Sequence, residues 1–152
     1  VHIRSYKSKQ VNKETAISEV MSTKLITLHP KDKLQRAKDI FKQYDIHHIP
    51  VVVMNKIVGI VSQGDILYLE SVITHSFDRF IIEKRFELDT IDQVMTPDPI
   101  CTTSAQTVSE VLDTMLNQGI NALPVVDDGQ LVGLVTSQDF LRILDSIFDK
   151  NQ

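Results

Sequence analysis

The chain has 152 residues, 42% hydrophobic and 24% charged, the composition of one compact soluble module with a real core. No window approaches the ~18 consecutive apolar residues of a membrane span, and the opening VHIRSYKSKQ lacks the apolar stretch of a secretory signal. Cys101 is the only cysteine, which excludes an intrachain disulfide and a thiolate cage and fits a reducing, cytoplasmic setting, while a net charge of −4 gives no electrostatic footprint for nucleic acid.

The first fifteen residues carry Arg4, Lys7, Lys9 and Lys13 and read as a solvated or partner-contacting arm. The first residue is not Met, so the segment reads as trimmed or excised. A short helical start follows at Ile17, Val20 and Met21, then a brief extended piece around Leu25–Leu28. Leu34, Ala37, Ile40 and Phe41 recur at spacings of three and four and predict an amphipathic helix, with Asp32 as a candidate cap. Ile49–Met54 and Ile57–Val61 form an apolar hairpin around Asn55-Lys56, and a second helix starts at Gly64. Residues 70–90, ESVITHSFDRFIIEKRFELDT, contain no Pro or Gly. They place Val72, Ile73, Phe77, Phe80 and Ile81 at helical spacing, which predicts an extended helical connector.

The same elements then return. Ile91, Val94 and Met95 make a helical start, Ile100–Thr103 an extended piece, and Val108, Val111, Leu112 and Met115 a second amphipathic helix with Ser104 as candidate cap. Leu123–Val126 and Leu131–Val135 form a hairpin around Asp127-Asp128-Gly129, and a helix closes from Gln138. Shifting the chain against itself by 74 positions aligns Ile17–Leu69 with Ile91–Ile143 without a gap, with 14 identities in 53 pairs. One copy of about fifty residues would bury too little surface alone. The predicted fold is therefore α/β: two pseudo-twofold β-α-β-β-α repeats packed through their sheets. The divisions are a tail at 1–15, repeats at 16–70 and 90–148, and a connector at 71–89.

The repeat is sharpest in VGIVSQGDIL and VGLVTSQDFL. Gly59 and Gly133 read as close packing or a bulge within a strand. Ser62-x-x-Asp65 and Thr136-x-x-Asp139 have the spacing of a capping box, in which the hydroxyl accepts from the amide three residues on and the carboxylate reaches back to the cap amide. The same geometry also suits a ligand. Amides and a hydroxyl at a helix start favour a phosphate, and an ionised carboxylate favours the two hydroxyls of a ribose.

The two copies, VMS…ITLHP…IHHIPVVVMNKIVGIVSQGDIL and VMT…ICTTS…INALPVVDDGQLVGLVTSQDFL, resemble a tandem pair of CBS domains (cystathionine β-synthase domains, the Bateman module) of the stand-alone bacterial type. The resemblance spans about Ile17–Ile147. It implies adenine-nucleotide sensing, dimerisation and regulation of a partner, with Asp65 and Asp139 gripping a ribose and Ser62 and Thr136 helping to hold phosphate. The ligand implied is AMP, ADP, ATP or S-adenosylmethionine in the cleft between the repeats. Ile26 and Ile100 would give the adenine ring apolar contact, and backbone around Ile46–Ile49 and Ile120–Leu123 would read its edge. One of His47 and His48 would face the phosphates of a nucleotide whose ribose Asp65 holds, whereas the second copy has the less cationic Asn121-Ala122 there, so the two sites should be unequal.

No metal-ligand spacing, phosphate-binding glycine loop or nucleophile with a base partner is present in the sequence, and Cys101 reads as packed, so neither a metal nor catalysis is expected. The rival to a sensor is a structural dimerisation scaffold whose Ser/Thr-x-x-Asp boxes only cap helices; a nucleic-acid module using the basic tail is weaker. Apolar excess on the closing helices predicts a homodimer through Leu69–Phe77 and Leu144–Phe148.

Overall fold

The computed structural model describes residues 11–74 and 79–149, with only the backbone described at 73 and 74. The tail residues 1–10 and Phe77 lie outside it. Helix α1 (Leu34–Gln43) buries Leu34, Ala37 and Phe41 along one stripe, the face its 3.6-residue period presents. Strands β1 (His48–Val53) and β2 (Lys56–Ser62) follow as an antiparallel hairpin, and α2 (Gln63–Thr74) starts directly from β2. Helix α3 (Arg79–Leu88) leads to a two-residue strand, β3 (Thr96–Pro97), on the outer edge of β2. Helix α4 (Val108–Gln118), strands β4 (Ala122–Asp127) and β5 (Gln130–Thr136), and α5 (Ser137–Asp149) repeat the order.

The shift of 74 persists in the hydrogen bonding. His48 pairs with Ser62 and Ala122 with Thr136, and a register irregularity falls between Val51 and Val52 and again between Val125 and Val126. Each hairpin closes through two residues at positive φ, Met54-Asn55 (47°, 62°) and Asp128-Gly129 (50°, 74°), the arrangement of a tight turn that follows the strand twist. The first turn thus sits one residue before the expected Asn55-Lys56, since Val53 pairs with Lys56 across it, and Asn55, a residue that tolerates the left-handed region, takes its second position. The extended pieces reduce to single parallel bridges, Leu28 to Val51 and Thr102 to Val125.

Two compact units result, and each takes its opening segment from the other copy. One runs Ile26–Pro99; the other joins the segment ending at Leu25 to the one beginning at Ile100. In the first, the core of Leu28, Leu34, Ile49, Val51, Val61 and Ile66 also contains Ile82, Phe86 and Ile91. In the second, Ile17, Val20 and Met21 pack with Val108, Val111, Leu123, Val125 and Ile143. The glycines enable this exchange. A Cβ on Gly59 would stand 2.4 Å from the Met95 sulfur, and one on Gly133 would stand 2.4 Å from the Met21 sulfur. Close approach, rather than a turn, is what these positions require.

Four local expectations change. The connector contributes α3, whose buried residues are Ile82 and Phe86, while Phe80 and Ile81 are exposed: α3 packs on α1 and α2 through the neighbouring stripe. Helix α4 is capped by Thr107, which accepts from the Glu110 amide while Glu110 accepts from the Thr107 amide; Ser104 lies too far upstream and donates its amide to Asp127. The N-cap of α1 is Lys33, without a side-chain cap bond, and Asp32 instead accepts from the His29 amide and from Arg36. Cys101, expected to be packed, is exposed, although partial burial still pushes its thiol pKa up.

Candidate ligand site

In the first unit the strand-to-helix corner forms a closed capping box. The Ser62 amide donates to Asp65 Oδ2 at 2.8 Å, and the Asp65 amide donates to Ser62 Oγ at 3.1 Å. Asp65 Oδ1 takes no hydrogen bond from any described residue. His48 faces Ser62 across the hairpin, so the pleat puts the two side chains on one side of the sheet. Its Nδ1 is buried and has no hydrogen-bond partner among the described residues. Burial pushes the His48 pKa below its ordinary 6.5, the neighbouring His47 adds to that, and Asp65 opposes it. His47 is exposed, and its carbonyl accepts from the Gln63 amide at 2.8 Å, tying the start of β1 to the start of α2. The structure thus brings Ser62, Asp65 and His48 together. Ile26, half-buried, belongs to the segment beside the opposite edge of β1, where Leu28 bridges Val51.

The second unit repeats the frame with different chemistry. The Thr136 amide donates to Asp139 Oδ2 at 2.8 Å, but the Thr136 hydroxyl also leans toward that oxygen, at 3.4 Å. Arg142, one helical turn on, reaches Asp139 Oδ1 at 3.4 Å. Asp139 is buried, 4% exposed, so both its oxygens are engaged inside the protein. Asn121 takes the place of His47: it is exposed, and its carbonyl accepts from the Ser137 amide at 3.0 Å. Ala122 stands opposite Thr136 and offers no polar atom beyond its backbone, and Ile100 is 44% exposed beside the Thr102 bridge.

Each unit therefore carries a helix start with an aspartate three residues after a hydroxyl, and only the first leaves a carboxylate oxygen and an imidazole nitrogen open. This is the chemistry of a site for a neutral or polar hydroxyl-bearing ligand. No group of three or more His, Cys, Asp or Glu able to hold a metal occurs among the described residues. The family model of the CBS domain matches residues 17–71 and 91–146. The chain belongs to the CBS domain family.

This CBS pair is 29% identical to the crystal structure of a putative acetoin utilization protein from Vibrio cholerae, with a TM-score of 0.73 over 88% of this chain and 93% of that one. It is also 29% identical to the CBS domain pair of protein MJ0100, whose structure is in complex with 5'-methylthioadenosine and S-adenosyl-L-methionine; the TM-score is 0.71 over 86% of this chain and 99% of that one. Among longer relatives, the inosine-5'-monophosphate dehydrogenase of Korarchaeum cryptofilum is 31% identical over 134 residues, 86% of this chain. The chain spans less than half the length of the first curated relatives it matches, and a quarter of that dehydrogenase. None of the described helices is long and apolar enough to cross a membrane.

Arg142 is the residue that reading the CBS pair as a sequence missed. The signal was present, an arginine three positions after Asp139 where the first copy has Tyr68, and i,i+3 spacing puts the two on one helix face.

Proposed function

We propose that this CBS pair is a regulatory module that takes an adenosyl ligand at the Ser62–Asp65–His48 corner of its first unit and signals occupancy to a partner protein. The observation that carries the reading is the pair of open polar atoms at that corner. Among the described residues, Asp65 Oδ1 is unengaged and His48 Nδ1 is the buried side-chain polar atom without a hydrogen-bond partner. A ribose has the matching groups: one hydroxyl donates to the carboxylate, and a second polar group meets the imidazole. The MJ0100 pair, in complex with 5'-methylthioadenosine and S-adenosyl-L-methionine, supports an adenosyl compound as the class. AMP, ADP and ATP add phosphates, for which His48 would have to become protonated. The role of the module is regulatory rather than catalytic.

Titration calorimetry and thermal unfolding with 5'-methylthioadenosine, S-adenosylmethionine, AMP, ADP and ATP test the reading. At about a hundredfold excess over its dissociation constant a native-state ligand adds about 2.7 kcal/mol of stability, which raises the melting temperature measurably. No response to any of the five at millimolar concentration overturns it. The scaffold reading then stands, favoured by one observation: the Ser62–Asp65 box closes on itself and caps α2.

A further inference from the structure

The two corners differ most one helical turn past their aspartates. The 74-residue shift sets Tyr68 against Arg142, each three positions after its aspartate and so on the same helix face. Tyr68 is 68% exposed and makes no hydrogen bond to Asp65, whose Oδ1 has no partner among the described residues. Arg142 Nη1 instead donates to Asp139 Oδ1 at 3.4 Å, while the Thr136 amide donates to Oδ2 at 2.8 Å.

A ribose at either corner has to donate a hydroxyl proton to the aspartate. At Asp65 an oxygen is available for it. At Asp139 a ligand has to displace a guanidinium, leaving a carboxylate that is only 4% exposed with a neutral donor in place of a cation, and that exchange costs binding free energy. The other differences between the corners do not account for the closure. Ala122 is smaller than His48 and leaves more room, and Gln138, which stands where the first copy has Gly64, is exposed. Arg142 lies on the Asp139–Ile143–Ser146 side of α5, off the exposed apolar run of Leu141, Leu144 and Phe148, so the partner that fixes its guanidinium is the aspartate.

We propose, building on the adenosyl reading of the first corner, that Arg142 is an intramolecular occupant of the second: it takes the carboxylate oxygen that a ribose needs and so limits the chain to one adenosyl site, in the first unit. Closure is then a property of one side chain and travels with it. An arginine at position 68, three residues after Asp65, should close the first corner as Arg142 closes the second, and a tyrosine at position 142 should open the second.

Calorimetric titration of the full chain with 5'-methylthioadenosine, an uncharged probe that gives an arginine no phosphate to hold, tests this. Wild type should bind one equivalent. Arg142→Tyr, a change at a side chain that is 53% exposed, should add a second and weaker site, and Asp139→Asn in that background should remove it again. Tyr68→Arg should weaken the first site about tenfold, with circular dichroism checking that each variant is folded. Two sites in wild type, a single site in folded Arg142→Tyr, or Tyr68→Arg binding as tightly as wild type overturns the proposal and leaves the adenosyl reading standing. Binding by Arg142→Tyr but not by wild type overturns the reading of the first corner and supports the closure of the second. No binding by wild type or by any variant overturns both.

Discussion

The two strand-to-helix corners share a backbone and differ in what their aspartates have left to offer. Asp65 uses one oxygen on the Ser62 amide and keeps the other open beside His48, whose Nδ1 has no partner among the described residues; Asp139 is buried, with one oxygen on Thr136 and the other on Arg142. The two copies therefore share the frame and differ in side chains: the second corner closes on its own residues, and the first keeps one carboxylate oxygen free of described partners. The helix pairs divide similarly, since α3 is bound into the first core and the groove between α4 and α5 has no described element over it.

The largest expected effect tests that second division. Phe86 is 1% exposed in the first core, and Phe86→Ala should cost about 3–5 kcal/mol in urea unfolding. Asn12, its counterpart 74 residues earlier, is exposed, and Asn12→Ala should cost no more than about 1 kcal/mol through loss of the Oδ1 that accepts from the Glu14 amide, since the bond to Thr15 is donated by the backbone amide and stays. Similar losses in the two variants would mean that the units are covered alike.

The aspartates come next. Asp139→Asn removes a buried charge from hydrogen bonds to Thr136 and Arg142 and should cost about 1–3 kcal/mol of stability with little change in adenosyl binding. Asp65→Asn, half-buried and in a cap position that Asn also serves, should cost only a few tenths of a kcal/mol. It should weaken ligand binding about tenfold, because a charged acceptor becomes a neutral one. Melting curves with and without ligand read both quantities, and equal behaviour of the two variants would erase the distinction between the corners.

Much of this architecture was legible because it is local or periodic. The 74-residue shift carried over to the strand registers and the irregularity in each hairpin, and the stripes at Leu34/Ala37/Phe41 and Val108/Val111/Met115 named buried faces. The exchange of opening segments was not legible: Met21 and Met95 look alike in sequence, and only long-range packing on Gly133 and Gly59 decides which unit each joins. In α3 two overlapping stripes were apolar, and the choice of Ile82 and Phe86 over Phe80 and Ile81 depends on what α3 packs against. The capping box Thr107-x-x-Glu110 was readable, yet the expected cap was Ser104, three residues farther upstream. At the site, the hydroxyl–aspartate spacing was plain, yet whether each carboxylate is open turned on Tyr68 versus Arg142, a difference one turn beyond the motif.

The closing helices give a third comparison. Both α2 and α5 leave large apolar side chains exposed: Leu67 and Val72 on the first, Leu141, Leu144, Ile147 and Phe148 on the second. The run on α5 is longer and lies at i, i+3 and i+4 spacing, the pattern of a helix buried on a second side. A homodimer through α5 is expected to sediment at about twice 17.2 kDa. Ile147→Asp with Phe148→Asp should halve that mass and keep the circular dichroism, while Val72→Asp should leave the dimer in place. A wild-type monomer at micromolar concentration would remove α5 as an interface.

The smallest effect concerns protons, and it separates the two corners through His48, which has Ala122 as its counterpart. Burial holds the His48 pKa in the folded protein below its ordinary 6.5, so between the two values the unfolded chain binds more protons than the folded one. His48 therefore takes nothing from stability above pH 6.5 and lowers it as pH falls from there toward the folded value. His48→Ala, which copies the second corner, should flatten that part of the stability–pH curve and leave the neutral-pH stability nearly unchanged. Ligand binding at the same corner sharpens the result. A phosphate-bearing ligand favours protonated His48, so AMP or ATP should bind more tightly as pH falls below 6.5, whereas 5'-methylthioadenosine and S-adenosylmethionine, with no phosphate to meet the imidazolium, should not. Calorimetry at two pH values reads the sign. Phosphate-ligand affinity that is flat with pH in wild type and unaltered by His48→Ala would place His48 outside the site and leave Asp65 as its only charged contact.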